Sequence, residues 1–450
     1  MLRTLHLENF KSWAKADLAF GKLTALFGTN SSGKSSLTQF LLLLKQTKEA
    51  TDRGIALNLN GQYVNLGIFK DMIYNHDEAA PVAWRLAFQC RDDLNLRLFD
   101  AGAPIKGNVI EVAGSVREGH RSRRMISTCL EYKLDPMRFF LKPKGDSETS
   151  FDLSAEPAEQ FRFIRNPGRP WQLPGPLKSY AFPDQARTYF QNASFLADLE
   201  KAYEEQMDGL YYLGPLREYP SRDYLWSRSR PVGVGVKGEH AISAIVAMTS
   251  DNEQRNISRQ KRLRPFQEIV AYWLAALGVI GEFRIEEIVE GSNRWQARVA
   301  IRKGGPQVLL TDVGFGVSQV LPVVTLLQYV PKGATVILEQ PEIHLHPFAQ
   351  ANLADVIINA AVHRGVQVVV ESHSEHLLLR LQRRVAEGVI SNEDVSLYFC
   401  DMTDKGSKLE RLKLDLWGKI ENWPKNFMGD AFGEAAEAEK ARLHRKAAAE

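Results

Sequence analysis

One eight-residue stretch near the N-terminus constrains the fold of this chain more than any other feature. The residues Gly28-Thr-Asn-Ser-Ser-Gly-Lys-Ser35 have the spacing G-x-x-x-x-G-K-[ST]. They follow an apolar strand-like stretch, residues 23–27, and open an apolar helix-like segment, residues 35–45. Glycines let the backbone curl so that its N–H groups converge on a phosphate, and the helix adds its positive N-terminal end. This context favours a phosphate-binding loop over the alternative, an ordinary Gly/Ser turn.

Within such a loop, the lysine and the last serine have separate tasks. We expect Lys34 to reach the β- and γ-phosphates of a nucleotide and Ser35 to offer its hydroxyl to Mg²⁺. The predicted nucleotide-binding residues of the loop are Asn30, Ser31, Ser32, Gly33, Lys34, Ser35 and Ser36.

A second candidate site is the acidic end of an apolar, β-branched stretch at residues 335–338, which continues as Glu339-Gln-Pro-Glu342. In a protein with a phosphate loop, a carboxylate that faces the metal ion belongs at such a strand end. We therefore predict that Glu339 is a metal ligand together with Ser35. A buried strand that merely ends in a charged turn is the alternative.

Four histidines raise a different possibility. His344 and His346 follow the acidic strand end, and His373 and His376 follow another apolar stretch, residues 366–370. With Glu342, Glu371 and Glu375 nearby they could form a metal site. This metal-hydrolase hypothesis is the weaker one, because H-x-H spacing is common in turns.

A second glycine-rich turn, Asp312-Val-Gly-Phe-Gly-Val-Ser-Gln319, leads into an apolar helical segment. Gly314, Gly316 and Ser318 at a helix N-terminus could form a second anion-binding end. They can serve the same phosphate as Gly33 only if the fold, or a second subunit, brings the two turns together. The alternative is a simple helix cap with Ser318 as the N-cap residue.

The order of predicted elements indicates an α/β protein. Alternation over residues 82–141 predicts an antiparallel meander, prolines mark 142–184 as loop-rich, and helical patterns cover 185–206 and 257–277. Beyond residue 295, strand and helix patterns alternate, which predicts parallel pairing. The predicted strands are 296–302, 335–338, 366–370 and 395–400, and the helices are 318–329, 347–361 and 375–386. The tail from Ala431 is predicted to be an exposed helix or a frayed end.

Composition bounds the class of protein. With 450 residues, 44% hydrophobic and 25% charged, the chain has the usage of an ordinary globular protein. A net charge of +3 neither demands nor excludes nucleic acid. The three cysteines, Cys90, Cys129 and Cys400, form no C-x-x-C pair, which argues against a zinc site or a disulfide framework. Without a signal peptide or an apolar run of membrane-spanning length, we expect a cytoplasmic protein with no membrane partner.

Taken together, the motifs resemble those of ABC-class ATPases of the SMC, RecF and OLD lineage. More closely, the chain is similar to short bacterial AAA-type ATPases that end in a small domain of unknown function. Leu5-His-Leu-Glu-Asn-Phe-Lys-Ser12 is similar to their first strand and Gly28–Ser35 to their Walker A motif. Residues 312–319 resemble a divergent signature motif, 338–347 their Walker B motif and D-loop, and Glu371-Ser-His-Ser374 their switch histidine. Residues 211–217, Tyr-Tyr-Leu-Gly-Pro-Leu-Arg, also look like a stretch of these ATPases.

The resemblance implies a P-loop NTPase fold with a mostly parallel sheet core, an antiparallel β subdomain and an inserted helical and loop region. It implies four parts: an N-terminal lobe at 1–141, the insertion at 142–294, a C-terminal lobe at 295–400 and a small extension at 401–450. It also implies a dimer, or a higher homo-oligomer, that traps ATP and Mg²⁺ between Walker A of one subunit and the signature of the other. The signature residues would be Gly314, Gly316, Ser318 and Gln319, and the catalytic set Glu339, Gln340, Glu342 and His373, with His344 at the dimer seam.

One position departs from the family pattern. Gln340 stands where the family has its catalytic glutamate, and a glutamine can orient water but cannot accept its proton. Glu342 is the candidate substitute. We therefore expect slow hydrolysis and a long-lived ATP-bound dimer.

Two biological roles remain open at this point. The leading hypothesis is the sensor or scaffold ATPase of a bacterial anti-phage defence complex, which controls a separate effector. About 60 residues follow the switch helix, fewer than the Toprim nuclease of OLD proteins needs, so we expect no cleavage by the chain itself. The rival is a DNA-binding ATPase of repair or maintenance, and a solvated face or a protein-docking surface is the alternative to its basic clusters. These clusters are Arg117, Arg121, Arg123 and Arg124, and Arg217, Arg222, Arg228, Arg230, Arg255, Arg259, Lys261, Arg262 and Arg264.

Overall fold

A computed structural model describes residues 1–97, 104–119, 123–145, 147–168, 172–258, 261–424, 437–442 and 445. Its strands are β1 (Leu2–Phe10), β2 (Trp13–Ala19), β3 (Leu23–Gly28), β4 (Val82–Leu96), β5 (Ile105–Glu118), β6 (Met125–Leu134), β7 (Met137–Pro143), β8 (Phe151–Glu156), β9 (Leu210–Leu213), β10 (Tyr224–Leu225), β11 (Gln254–Arg255), β12 (Arg264–Pro265), β13 (Glu282–Glu287), β14 (Arg294–Ala300), β15 (Val308–Leu309), β16 (Thr335–Glu339), β17 (Gln367–Glu371), β18 (Val395–Thr403) and β19 (Gly406–Leu412). Its α-helices are α1 (Lys34–Glu49), α2 (Phe69–Met72), α3 (Asp184–Tyr189), α4 (Leu196–Asp208), α5 (Ala241–Ser250), α6 (Phe266–Ala276), α7 (Phe315–Tyr329), α8 (Pro347–Val362) and α9 (Glu375–Ala386).

A six-stranded sheet in the order β19-β18-β3-β17-β16-β9 positions the candidate site. All of its pairs are parallel except β18–β19. The sheet separates two hydrophobic cores, because alternate residues of one strand face opposite sides. Val336 and Leu338 of β16 pack with residues of α5 to α9, whereas Ile337 packs with residues of α1 and α4. Burial on both faces explains why these strands are continuous apolar runs.

The largest sheet is different. Its seven strands follow the order β2-β1-β4-β5-β6-β7-β8, and every pair is antiparallel. The fold is therefore α/β with both parallel and antiparallel sheets, and the predicted mostly parallel core is not confirmed. Two strands of the predicted insertion at 142–294 also join the main sheets: β8 ends the antiparallel sheet and β9 forms one edge of the six-stranded sheet. The four-part division of the chain stays a prediction.

The sequence pattern predicts the strand at residues 296–302 correctly but places it in the wrong sheet. The stretch 296–302 was expected in the parallel block, but β14 pairs antiparallel with β13, β10 and β15 in a separate small sheet. A tight turn near Gly291, with φ of +80°, joins β13 directly to β14, so the two strands form a hairpin. The predicted helix at 185–206 is interrupted between α3 and α4, and that at 257–277 shortens to α6, which begins after Pro265.

The C-terminal residues add an antiparallel edge to the central sheet. The turn of the β18–β19 hairpin reaches β1–β2: the Ser407 amide donates to the Ser12 carbonyl (2.7 Å), and the two serine hydroxyls lie 2.7 Å apart. Residues 437–442 of the predicted tail helix are helical and exposed, and the rest of that prediction lies largely outside the described residues. Within the described ranges, no helix has both the length and the apolar character that a bilayer crossing requires. All three cysteines are free thiols.

Candidate functional site

The loop at residues 28–35 is shaped by two glycines that no other residue could replace. Gly28 ends β3 with φ of +147°, and a Cβ there would lie 2.0 Å from the carbonyl oxygen of Cys400. Gly33 caps α1 with φ of +88°, between the hydroxyls of Ser12 and Ser407 and the indole of Trp13. The Trp13 Nε1–H donates to the Gly33 carbonyl (3.0 Å). The close approach of these neighbours fixes the curl of the loop.

Lys34 lies inside this loop. Its side chain is 4% exposed overall, and its Nζ donates to the carbonyls of Thr29 (2.6 Å) and Gly28 (3.1 Å). Burial lowers the pKa of Lys34, although Glu371 attracts the charge and acts in the opposite direction. The ammonium group is thus held at the centre of the loop, while Asn30 and Ser31 at its tip are exposed.

Two neighbouring strands deliver carboxylates to the first turns of α1. Glu339 ends β16 and Glu371 ends β17, and the two residues are paired in register. Ser35 Oγ donates to Glu371 Oε1 (3.0 Å), and Thr38 Oγ1 donates to Glu339 Oε1 (2.9 Å). The predicted metal ligands Ser35 and Glu339 therefore lie near the carboxyl ends of β16 and β17, but the hydroxyl of Ser35 contacts Glu371 rather than Glu339.

Burial of like charges dominates the electrostatics at the carboxyl ends of β16 and β17. Burial, followed by the repulsion of Glu371, raises the pKa of Glu339 to about 7. Burial also raises the pKa values of Glu371 and Glu342. One oxygen of Glu342 and one of Glu371 have no hydrogen-bond partner in the described part of the chain. A buried carboxylate oxygen without a donor is the kind of group that a cation satisfies.

The segment that carries His373 is attached to the acidic turn. Glu342 Oε1 accepts the backbone N–H of His373 (2.8 Å). The His373 ring lies near the backbone of Gly28, at the start of the phosphate loop. Burial, with a smaller effect of Lys34, lowers the pKa of His373, which favours the neutral imidazole. Gln340, with φ of +45°, donates its backbone N–H to the backbone carbonyl of Glu371 (2.9 Å).

Two residues of the 211–217 stretch belong to the same cluster, in roles that the sequence did not indicate. Burial, followed by the neighbouring Glu339 carboxylate, raises the pKa of Tyr212. Arg217, only 6% exposed, donates to the carbonyls of Glu339 (3.1 Å) and Gln340 (3.4 Å). Burial lowers the pKa of Arg217 to about 10. The signal that could have found both is the resemblance of this stretch to the same ATPases.

The burial of Arg217 also corrects a prediction, because this residue cannot be part of an exposed basic surface. Other members of the second cluster are engaged: Arg222 pairs with Asp312, and Arg230 lies against Asp251 and Glu253. In the first cluster Arg117 pairs with Glu148, and Arg121 lies outside the described residues, as does Arg259 of the second.

The turn at residues 314–319 lies at the start of helix α7. Helix α7 begins at Phe315 with Gly314 as its N-cap, so the alternative that placed Ser318 at the N-cap is wrong. Ser318 is buried and its hydroxyl donates to the Phe315 carbonyl (2.7 Å). The turn packs on the D-loop of its own chain: the rings of Phe315 and His344 are 5.0 Å apart. Gln319 is also buried, whereas Gly314 is exposed.

The structure gives no support to the histidine metal site. Within the described ranges, His, Cys, Asp and Glu form no group of three that could hold a metal ion. His346 instead caps α8, where its Nδ1 accepts the Phe348 N–H (3.3 Å).

Three family profiles match successive parts of the chain. Residues 132–380 match the family described as "AAA domain, putative AbiEii toxin, Type IV TA system". Residues 1–108 match "AAA ATPase domain", and residues 390–437 match "Protein of unknown function (DUF3696)". No curated protein matches the chain.

Solved structures of SMC heads are also similar to this chain. The SMC head domain from Thermotoga maritima is 13% identical, with a TM-score of 0.42 over 92% of this chain and 99% of that one. The SmcHead bound to the C-winged helix domain of ScpA is 14% identical, with a TM-score of 0.44 over 92% and 98% of the two chains. An Smc head with an extended coiled coil, bound to the C-terminal domain of ScpA derived from Pyrococcus furiosus, is 13% identical, with a TM-score of 0.44 over 92% and 96%.

Proposed function

The chain belongs to the family described as "AAA domain, putative AbiEii toxin, Type IV TA system", and from this premise we propose that it binds ATP with Mg²⁺ and hydrolyses it slowly. The matches confirm the short AAA-type ATPase with a C-terminal domain of unknown function that the motifs predicted. One observation carries the proposal: a buried lysine, a serine hydroxyl and two buried carboxylates meet at the glycine loop between β3 and α1.

The donor set fits a magnesium nucleotide. The backbone of residues 28–33 curls tightly, because its neighbours leave no room for a Cβ at Gly28 or Gly33, and Lys34 supplies a positive charge to the loop. Ser35 and Glu339 are the proposed cation ligands, and oxygen ligands are those that Mg²⁺ prefers. When bound, Mg²⁺ neutralises charge that develops on the transferred phosphoryl group.

The remaining side chains position the nucleotide and water. Lys34 binds the terminal phosphates, and His373 contacts the γ-phosphate from the end of β17, where Glu342 holds its backbone. Gln340 orients water but accepts no proton, and the loss of a general base lowers rates by ~10²- to 10⁴-fold. We propose Glu342 as the substitute base, because one of its oxygens is free of hydrogen bonds within the described residues.

Steady-state ATP hydrolysis tests this proposal. We expect slow turnover by the natural chain, loss of turnover in Lys34→Ala, and an increase of ~10²-fold in Gln340→Glu. Glu342→Gln should reduce the residual rate further. Fast turnover that Glu342→Gln leaves undiminished would contradict the proposed roles of Gln340 and Glu342.

We further propose that two subunits close head to tail around ATP, with the 314–319 turn of one facing the γ-phosphate held by the other. The exposed N-terminal end of α7 supports this arrangement, since helix N-termini favour anions. Sedimentation with and without ATP measures it: ATP should shift the protein to a dimer, and Lys34→Ala should stay monomeric. An unchanged monomer at saturating ATP would contradict it.

At the level of the cell, we propose that the ATP-bound dimer is the sensor or scaffold of an anti-phage defence complex and controls a separate effector. A family description that names a toxin system, together with a site made only of nucleotide-binding groups, supports this role. Phage challenge of cells that carry the gene with and without its neighbours tests it, and protection by the chain alone would contradict it. A DNA-binding titration over a salt series tests the rival role, because phosphate contacts weaken steeply with salt.

A further inference from the structure

Glu371 is a buried carboxylate that the sequence indicated only as a neighbour of the histidine metal site, not as a group of the nucleotide site. It is 3% exposed, ends β17, and lies in register beside Glu339 on β16. It accepts the hydroxyl of Ser35, the side chain that the loop motif assigns to the cation. Glu339 instead accepts the hydroxyl of Thr38, almost one helical turn further along α1.

We propose that Glu371 is a second carboxylate ligand of the divalent cation, so that Ser35, Glu339 and Glu371 together form its seat. This inference rests on the proposed function, since the nucleotide supplies the remaining oxygens. Mg²⁺ is commonly bound by one or two carboxylates together with substrate phosphates rather than by a complete protein cage.

The charges around the seat support the assignment. Glu339, Glu342 and Glu371 are all buried, Lys34 and Arg217 are buried beside them, and the half-buried Lys11 also lies near Glu339. Lys34 and Arg217 donate hydrogen bonds to backbone carbonyls, and Lys11 donates to the side-chain oxygen of Gln39. The cations are thus hydrogen-bonded to neutral groups rather than to the carboxylates, and a divalent ion would relieve the repulsion among the three acidic side chains.

The free oxygen of Glu371 gives the second, independent observation. Its Oε1 accepts from Ser35, but its Oε2 is buried and has no hydrogen-bond partner in the described part of the chain. A carboxylate kept only to anchor Ser35 would need one oxygen and no burial of the other. A buried, unpartnered oxygen on the carboxylate that bonds Ser35 is better explained as a ligand atom.

Binding of a fluorescent ribose-modified ATP analogue, with Mg²⁺ and with EDTA, tests the proposal without relying on turnover. The natural chain should bind the analogue more tightly with Mg²⁺. Glu371→Gln keeps the shape of the side chain, so this variant should bind the metal-free analogue at least as tightly as the natural chain. The increase in affinity that Mg²⁺ causes (the Mg²⁺ gain) should be smaller by about tenfold or more. Glu371→Asp should retain part of that gain. The matched control is Glu393→Gln, at an exposed residue just before the N-terminal end of β18, whereas Glu371 lies at the C-terminal end of β17.

Electron paramagnetic resonance of Mn²⁺ provides the second readout. With the ATP analogue present, Glu371→Gln should bind Mn²⁺ about tenfold or more weakly than the natural chain, and Glu393→Gln should not differ. The inference is overturned if Glu371→Gln keeps the full Mg²⁺ gain and Mn²⁺ affinity. If the natural chain itself binds no analogue with or without Mg²⁺, the proposed function fails instead, and the two failures are therefore distinguishable.

Discussion

The chain contains two glycine-rich turns that each open a helix, and they differ in what surrounds them. The turn before α1 encloses a buried lysine and faces the carboxylates at the ends of β16 and β17. The turn before α7 contains no charged side chain between Gly314 and Gln319, and its serine hydroxyl is bonded within its own first turn. The first turn thus combines a lysine with hydroxyls and carboxylates of one chain, whereas no charged side chain accompanies the second.

This difference indicates a division of labour. A helix N-terminus attracts an anion, but it cannot balance a triphosphate and its cation alone. We therefore expect the first turn to determine nucleotide affinity. The second turn should contribute only when it meets a nucleotide that is already held by the first turn of another subunit. Four experiments test this comparison.

The largest effect is expected from Lys34→Ala. Removal of the charge-assisted contacts to phosphate should weaken ATP binding by ~100-fold, measured by calorimetry. Ser318→Ala, the counterpart in the second turn, should change the affinity by less than about threefold in dilute monomer. Comparable losses in the two variants would remove the distinction between the turns.

The second effect concerns the buried charge that only the first turn has. The pKa of Glu339 is about 7 in the folded protein and 4.5 ordinarily, so the folded state holds the proton more tightly than the unfolded chain. Stability should therefore fall as the pH rises from about 5 to 8. Glu339→Gln should remove the part of this loss that Glu339 causes, leaving the parts of Glu342 and Glu371, and raise the free energy of unfolding at pH 8 by about 2 to 3 kcal/mol, measured with urea.

The control for that measurement is Asp312→Asn beside the second turn, where the carboxylate is exposed and paired with Arg222. Exposed pairs contribute about 0–1 kcal/mol, so its stability should depend on pH as that of the natural chain does. If the free energy of unfolding of Glu339→Gln depends on pH as that of the natural chain does, folding does not raise the pKa of Glu339.

The third effect separates nucleotide binding from assembly. Gly314 has an ordinary φ of −57°, and the space that a Cβ would occupy there is open, so Gly314→Arg should fold normally. It should bind ATP as the natural chain does but weaken the ATP-dependent dimer by about tenfold or more, measured by sedimentation. An intact dimer in Gly314→Arg would show that the second turn does not face a partner.

The smallest effect is steric. A Cβ at Gly316 would lie 3.0 Å from the carbonyl oxygen of His344, so Gly316→Ala should reduce the free energy of unfolding by about 1 kcal/mol. Gly314→Ala, two residues earlier, should not reduce it. Thermal or urea unfolding of the two variants measures how tightly the second turn packs on its own D-loop.

The sequence predicted those parts of the site that are contiguous in the chain. The loop at 28–35 and the acidic end of β16 are local motifs whose chemistry depends on spacing alone. The contacts of Glu371, Tyr212 and Arg217 were not predictable in this way. They depend on which strands are neighbours: β9, more than a hundred residues before β16, lies directly beside it.

The errors have similar physical causes. Alternation in residues 296–302 indicated a strand but could not specify its partner, and the short turn from β13 decided the pairing as a hairpin. The start of α7 was displaced because Ser318 is a good N-cap residue, although the backbone already turns helical after Gly314. Arg217 was grouped with exposed arginines because sequence clustering carries no information about burial.

The hairpin of β18 and β19 forms one wall of the loop that precedes α1. Ser407 of this hairpin is bonded to Ser12, and both hydroxyls lie against Gly33, where no room is left for even one additional carbon atom. The C-terminal hairpin is therefore in direct contact with the loop that precedes α1, although the two are far apart in the chain.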